Sequence, residues 1–427
     1  MTRSGAKLRT GEFVALVALL MSLVALSIDA MLPALPDIGR DLGVVRRNDT
    51  QHVITAIFLG IALGQILFGP LSDRIGRRPT IAAGLLAYMA GCLVSILAST
   101  FPMMIAGRVL QGIGVAAPRI VTIAMVRDQY EGRQMARLMS FAMSIFILVP
   151  TVAPALGQAI LWVGDWRSIF AAIFSVASLA LVWFWVRQPE TLPAARRLPL
   201  SFLVVGQAAL EVIRSRTALG YTLATGFVFA PFLAYLSSSE QIFRDAYNTG
   251  SLFALWFGVL SLAFGCASLL NGRLVVEHGM RRLARAAALT LTVVSTAFLA
   301  LSFAFAGLPA FWLLMAYLLA VFFCIGLLFG NLNALAMEPL GHIAGVGAAV
   351  VASLTTFIGL PLGALVGQSF DGTMYAQTAA FALAGAGVLW AVWWAEESRP
   401  VLRLRLLKRR AGRYGQSHPK TPPVSSA

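Results

Sequence analysis

Long apolar runs alternate with short charged ones along nearly the whole chain. Twelve runs are long enough to cross ~30 Å of hydrocarbon, which takes about 20 helical residues. They fall near 13–35, 51–71, 80–99, 102–126, 138–161, 167–186, 217–237, 250–271, 284–306, 311–335, 343–370 and 374–395. In lipid a backbone N–H or C=O must find its partner within its own segment, so each run is read as a helix. The pattern predicts an all-α membrane protein with twelve transmembrane helices.

Between the second and third runs lies a charged stretch, Gly69-Pro70-Leu71-Ser72-Asp73-Arg74-Ile75-Gly76-Arg77-Arg78, which reads as a short turn. The stretch from Gly272 to Arg282, 203 positions later, repeats Gly69, Leu71, Gly76 and Arg78 as Gly272, Leu274, Gly279 and Arg281. A repeat at almost half the chain length implies two homologous, pseudo-symmetric six-helix halves. The expected division is 1–186, a polar linker 187–216, a second half 217–395, and a basic tail 396–427. Within the linker, 201–213 has the pattern of an amphipathic helix lying on the membrane. The far end of the tail reads as disordered, and Arg403 to Arg410 suit anionic lipid.

Composition agrees. Residues are 59% hydrophobic and 12% charged, against about a quarter charged in water-soluble domains. The net charge of +15 raises nucleic acid as a partner, but the basic residues sit in short segments between apolar runs and form no basic face. A membrane surface accounts for them better. With a cytoplasmic N-terminus, 26 of the 33 Lys and Arg fall on that side, five on the other (Arg40, Arg46, Arg47, Arg167, Arg244), and two within the fourth run. Both termini are therefore expected in the cytoplasm, the protein being of a bacterial inner membrane. Arg3, Lys7 and Arg9 before an apolar run resemble a signal peptide, yet the run 13–35 is too long and many spans follow, so it is read as a first spanning helix. Cys92, Cys266 and Cys324 each lie in an apolar run and are read as packing residues, forming neither a disulfide framework nor a zinc site.

An ionisable side chain within the bilayer costs at least ~2.5–3.5 kcal/mol, so each one is a functional candidate. Three sit well inside spans: Asp29, Arg108 and Arg119. Asp29 lies seven residues before Pro36 and Arg108 six residues after Pro102, which puts both ~10 Å from the same face at 1.5 Å per residue. A carboxylate and a guanidinium at matching depth would offset each other's desolvation. They form either a static pair tying two helices together or a site whose acid changes protonation while Arg108 tunes its proton affinity. Arg119, about 20° around the helix from Arg108, either faces the same cavity deeper in or anchors packing beside Pro118.

Gly112-Ile113-Gly114-Val115-Ala116-Ala117 matches the dinucleotide pattern Gly-x-Gly-x-x-Ala, but it lies mid-span and not between a strand and a helix, so close helix packing is the reading. No phosphate-loop lysine and no concentration of His, Cys and carboxylates is present. That argues against an enzyme and against any cofactor or metal, leaving an ion gradient as the energy source. Pro150, Pro154 and Gly157 share one side of the fifth run, either an ordinary kink or a gate hinge.

Gly69 to Arg78 resembles the loop signature of the major facilitator superfamily, Gly-x-Leu-x-Asp-Arg-x-Gly-Arg-Arg, at every defined position. Arg108-Val109-Leu110-Gln111-Gly112-Ile113-Gly114 resembles its fourth-helix signature. Ala153-Pro154-Ala155-Leu156-Gly157-Gln158 resembles the antiporter signature, with Ala153 for its first glycine and Gln158 for its last. Ser27 to Pro36, Val126-Arg127-Asp128 and Trp166 to Phe170 are similar to the bicyclomycin- and chloramphenicol-resistance branch of drug:proton antiporters. The resemblance implies that Asp29 carries protons or contacts drug and that Arg108 partners it. It also implies that Asp73 faces the N-terminal end of the eleventh helix while Arg74, Arg77 and Arg78 pair with acids such as Asp128, latching the halves. Val276 replaces Asp73 in the second copy, so only the first should latch.

The reading reached is proton-coupled export of a small amphipathic compound by alternating access, from a chain expected to be monomeric. Phe58, Gln65, Phe232, Tyr235 and Trp256 are candidate lining residues, with Asn331 and Asn333 as polar contacts nearer the cytoplasm. A proton-coupled importer of the same fold and a non-transporting receptor are the competing readings.

Overall fold

The computed structural model describes residues 9–130, 132–197 and 202–397. Arg3, Lys7 and the tail from 398, with the lipid contact expected of Arg403 to Arg410, lie outside them. The helices are α1 Thr10–Asp29, α2 Leu35–Asp41, α3 His52–Ile75, α4 Arg77–Ile96, α5 Phe101–Gln129, α6 Gly132–Val163 and α7 Trp166–Arg187, followed by α8 Phe202–Arg214. The chain continues through α9 Arg216–Gln241, α10 Phe253–His278, α11 Met280–Ala304, α12 Phe311–Met337, α13 Ala344–Gln368 and α14 Tyr375–Glu396. Among the described residues there is no strand. Ten stretches are long and apolar enough to cross a membrane. One of them, Phe311–Gln368, holds both α12 and α13, and α6 adds a crossing helix, so the twelve expected runs are twelve helices.

Two boundaries differ from the sequence reading. The first span is not one helix: α1 stops at Asp29, a 3₁₀ turn covers Leu32–Ala34, and α2 completes the crossing. Pro33 and Pro36 lack the N–H groups that would continue the ladder. The charged stretch is also not a loop. α3 runs through Pro70 to Ile75 and α4 begins at Arg77, so only Gly76, at φ +107°, breaks the path. Gly279, at φ +80°, does the same between α10 and α11. Glycine reaches that region without the Cβ penalty, which is why the repeat keeps it. Between the halves, α8 is the amphipathic helix expected near 201–213. Ala208 and Val212 are buried, while Leu203, Leu210 and Ile213 are exposed.

Close helix contact explains the Gly-x-Gly-x-x-Ala run. A Cβ on Gly112 would meet Ile57 O of α3, and one on Gly114 would meet Tyr88 N of α4. The run is a packing surface that clamps α5 between two neighbours. First-half and second-half helices meet along α3 with α13 and along α6 with α10.

Candidate functional site

Arg108 is wholly buried yet fully engaged. Its Nε donates to Val53 O (3.1 Å), Nη2 to Ser27 O (2.9 Å) and Nη1 to Gln111 Oε1 (2.5 Å), and its guanidinium lies 5.8 Å from the Phe170 ring centroid. Asp29 is buried as well. The two charges nonetheless form no ion pair, and the Asp29 carboxylate has no hydrogen-bond donor among the described residues. Matching depth was therefore correct and the expected pair was not. The reason is angular: the Ser27 hydroxyl meets Tyr88 of α4, and residue 29 lies about 200° round the helix from residue 27. Ser27 faces α4 and α5, so Asp29 points away from them. On that other side α6 crosses α1, with Gly157 pressed so closely on Ala30 O that any Cβ would collide with it.

The lining candidates divide. Phe58 of α3 meets Phe229 of α9 edge-on at 5.4 Å, a ring contact between the halves. Phe232 packs on Phe264, Phe322 and Phe329, and Tyr235 on Phe257 and Phe322, giving one aromatic surface shared by α9, α10 and α12. Trp256 does not join it. It meets Phe311 and Trp312 at the start of α12 edge-on, because it lies in the first turn of α10. Asn331 is spent on Asn271 Oδ1 (2.6 Å) and Leu327 O, linking α12 to α10. Asn333 is exposed and donates to Phe329 O of its own helix, so it lines nothing.

Several buried polar atoms have no partner among the described residues: Gln65 Oε1, Thr122 Oγ1, Thr151 Oγ1, Gln158 Oε1, Tyr235 OH and Thr355 Oγ1. Leaving such a group unpaired in an apolar interior costs about 1–3 kcal/mol. They lie on α3, α5, α6, α9 and α13, helices of both halves, where a guest molecule or water would satisfy them. Only Gln65 and Tyr235 were expected from sequence. An isolated threonine in an apolar run usually bonds back to its own helix, and nothing local distinguishes the three that do not.

The two ends of the bundle differ. At the end bearing Arg46 and Arg47, the halves are joined by a network of amides. Asn48 Nδ2 donates to Gln368 O (3.0 Å) and Phe370 O (2.8 Å), Gln368 Nε2 to Asn48 O (2.7 Å), Gln51 Nε2 to Gln241 Oε1 (2.7 Å), and Gln241 Nε2 to Asn48 Oδ1 (3.2 Å). Arg47 adds ion pairs to Asp245 (2.7 Å) and to the buried Glu240 (3.5 Å). Beyond Phe370, Asp371 accepts from Thr373 N and Oγ1, which holds its carboxyl below the usual range and its loop in shape. None of these residues was a sequence candidate, since neutral amides at helix ends carry no signature.

At the opposite, basic end a cavity of about 240 Å³ separates the halves. Gly69, Asp73, Arg77 and Asp128 line one wall, and Ala344 to Val346 with Ala348 to Val350 at the start of α13 line the other. Arg77 pairs with Asp73 (2.5 Å) and Asp128 (3.0 Å), all within the first half. Arg78 donates to Trp185 O and lies over the Trp185 ring, and Glu190 accepts from the N–H groups of Arg77 and Arg78. Arg74 is exposed and unpaired among the described residues. The implied latch is thus assembled but not engaged: Asp73 faces the first turn of α13 across the cavity, and no ion pair bridges the halves there among the described residues. Pro150 and Pro154 lie inside the unbroken α6.

Residues 17–355 match the family model of the Major Facilitator Superfamily. A bicyclomycin resistance protein homolog of Haemophilus influenzae is 28% identical over 367 residues, 83% of this chain and 88% of that protein. A chloramphenicol resistance protein of Pseudomonas aeruginosa is 33% identical over 263 residues, 60% of each. Among solved structures, a D-xylose-proton symporter superposes with a TM-score of 0.69 at 15% identity, covering 90% of this chain and 97% of that one.

Proposed function

Because the chain belongs to the major facilitator superfamily, we propose that it exports small amphipathic compounds across a bacterial inner membrane in exchange for protons, by alternating access. The basic end is then cytoplasmic, with both termini, and the conformation seen is shut outside by the amide network and open inside at the 240 Å³ cavity.

The observation that carries this reading is Asp29. It is a buried carboxylate at the break of the first span, without ion pair or donor among the described residues. A charge so placed is stable only when protonated, hydrated or facing a cargo. Facing outward, Asp29 takes up a proton and cargo leaves; facing inward, it loses the proton and cargo enters. Arg108 acts as a positioning residue. By holding Ser27 O it ties the end of α1 to α5, so a movement of α5 reaches Asp29. Phe58, Phe229, Phe232, Tyr235 and Phe322 supply the apolar surface, and the orphaned Gln65 and Tyr235 groups supply polar contacts. In the outward-open state the amide network parts, Asp73 reaches the positive N-terminal end of α13, and α6 bends at Pro150, Pro154 and Gly157.

The test uses cells expressing the protein or its Asp29→Asn variant, challenged with bicyclomycin and chloramphenicol, together with proton-driven efflux in inverted vesicles. The wild type should protect and extrude while Asp29→Asn, present at equal amount, should do neither. Equal protection by the variant rejects the coupling role, and uptake in place of extrusion identifies an importer.

A further inference from the structure

Arg119 is the remaining charge within the spans, and its surroundings differ from those of Arg108. It lies on α5 eight residues before Arg127, so ~12 Å of helix separates it from the basic interface. That is farther than an arginine side chain reaches, so the guanidinium does not escape to the headgroups. It is half-buried, with no carboxylate in ion-pair range and no hydrogen-bond acceptor among the described residues. Arg108, by contrast, takes two main-chain carbonyls and a glutamine.

The face is an inner one. Arg119 lies about 20° from Arg108, whose partners belong to α1 and α3, whereas α4 packs on another side of α5, at Gly114, about 140° round from Arg119. Thr122, three residues further and about 60° away, is completely buried, and its Oγ1 has no partner among the described residues. Ile123, about 40° on the other side, lines the cavity at the basic end. A guanidinium and a hydroxyl without partners among the described residues therefore sit one turn apart on the stretch of α5 whose Ile120, Val121, Ile123 and Ala124 line the cavity.

We propose that Arg119 and Thr122 form an anion-recognition subsite, and that the cargo carries a carboxylate, sulfonate or phosphate group beside its apolar part. The proposal rests on the transport reading for its biological use, since an occupant that comes and goes explains why no acid among the described residues neutralises Arg119. A fixed partner would hold the charge permanently, and a purely structural arginine would take carbonyls as Arg108 does. The guanidinium supplies a planar fork for two anionic oxygens, and the threonine hydroxyl supplies a further donor.

The experiment measures fluorescence anisotropy of two xanthene dyes, anionic fluorescein and cationic rhodamine 6G, on the full chain in nanodiscs of uncharged phosphatidylcholine. Wild type should prefer fluorescein. In Arg119→Gln the fluorescein-to-rhodamine preference should fall by about ten- to hundredfold, as expected for loss of hydrogen bonds to a charged group. Arg119→Lys should keep part of it, and Thr122→Val should lose a few-fold. An unchanged preference in Arg119→Gln overturns the proposal. Should that variant fail to fold, competition on the wild type decides: naphthoate must displace fluorescein at lower concentration than naphthylmethylammonium, and the reverse order overturns it. Dye binding needs no proton gradient, so this result is independent of the Asp29→Asn test. Absent efflux with intact anion preference rejects transport only, and efflux without that preference rejects the subsite only.

Discussion

Asn48 is the keystone of the closed end, and replacing it should open that end. Its side chain makes three hydrogen bonds to the second half, to Gln368 O, to Phe370 O and from Gln241 Nε2. Asn48→Ala removes all three and spares the main-chain acceptor that Gln368 Nε2 uses. At about 0.5–1.5 kcal/mol net for each bond, the closed state loses about 1.5–4.5 kcal/mol, which shifts the closed-to-open ratio on the order of 10- to 1000-fold. The Arg47 ion pairs are too exposed to make up the difference, since Arg47 keeps 48% of its side chain in solvent and such pairs are worth about 0–1 kcal/mol. The assay is a spin-label distance measurement between cysteines placed at Val45 and Leu308, exposed positions in the two halves, with Cys92, Cys266 and Cys324 changed to serine. The long-distance population should grow in Asn48→Ala. Arg46→Ala, which loses only a pair to Asp49 of its own segment, should leave the distribution unchanged. Identical distributions for Asn48→Ala and the parent, or an equal shift for Arg46→Ala, would refute the assignment of this network as the gate.

Two stability predictions follow from the first half. Arg108→Gln removes the guanidinium's hydrogen bonds to Ser27 O, Val53 O and Gln111 Oε1 and should destabilise by about 2–5 kcal/mol, seen as a lower thermal midpoint in detergent; Arg108→Lys should not restore it, because one ammonium lacks the fork that reaches α1, α3 and Gln111 together. Gly76→Ala should cost about 1–3 kcal/mol from backbone strain plus a collision with the Glu190 carboxylate, whereas Gly279→Ala meets open space and suffers the strain alone. Equal midpoints for the two alanine variants would count against the Glu190 contact.

The number of helices and the two halves were legible because each depends on a local rule: the length of an apolar run and a repeat at fixed spacing. The depth of Asp29 and Arg108 was legible too, since rise per residue is the same in every helix. Whether those two groups touch was not, because contact depends on the angle at which each helix is rotated toward its neighbours. That rotation is set by Gly112, Gly114 and Gly157 and the backbones pressed against them. The closed end was invisible for a related reason: Asn48 and Gln368 are 320 residues apart, and a neutral amide leaves no trace in hydropathy or charge. Sequence alone thus determined what the lipid demands of each segment, and packing alone decided which polar groups are satisfied by one another and which, like Asp29, Arg119 and Thr122, have no partner among the described residues.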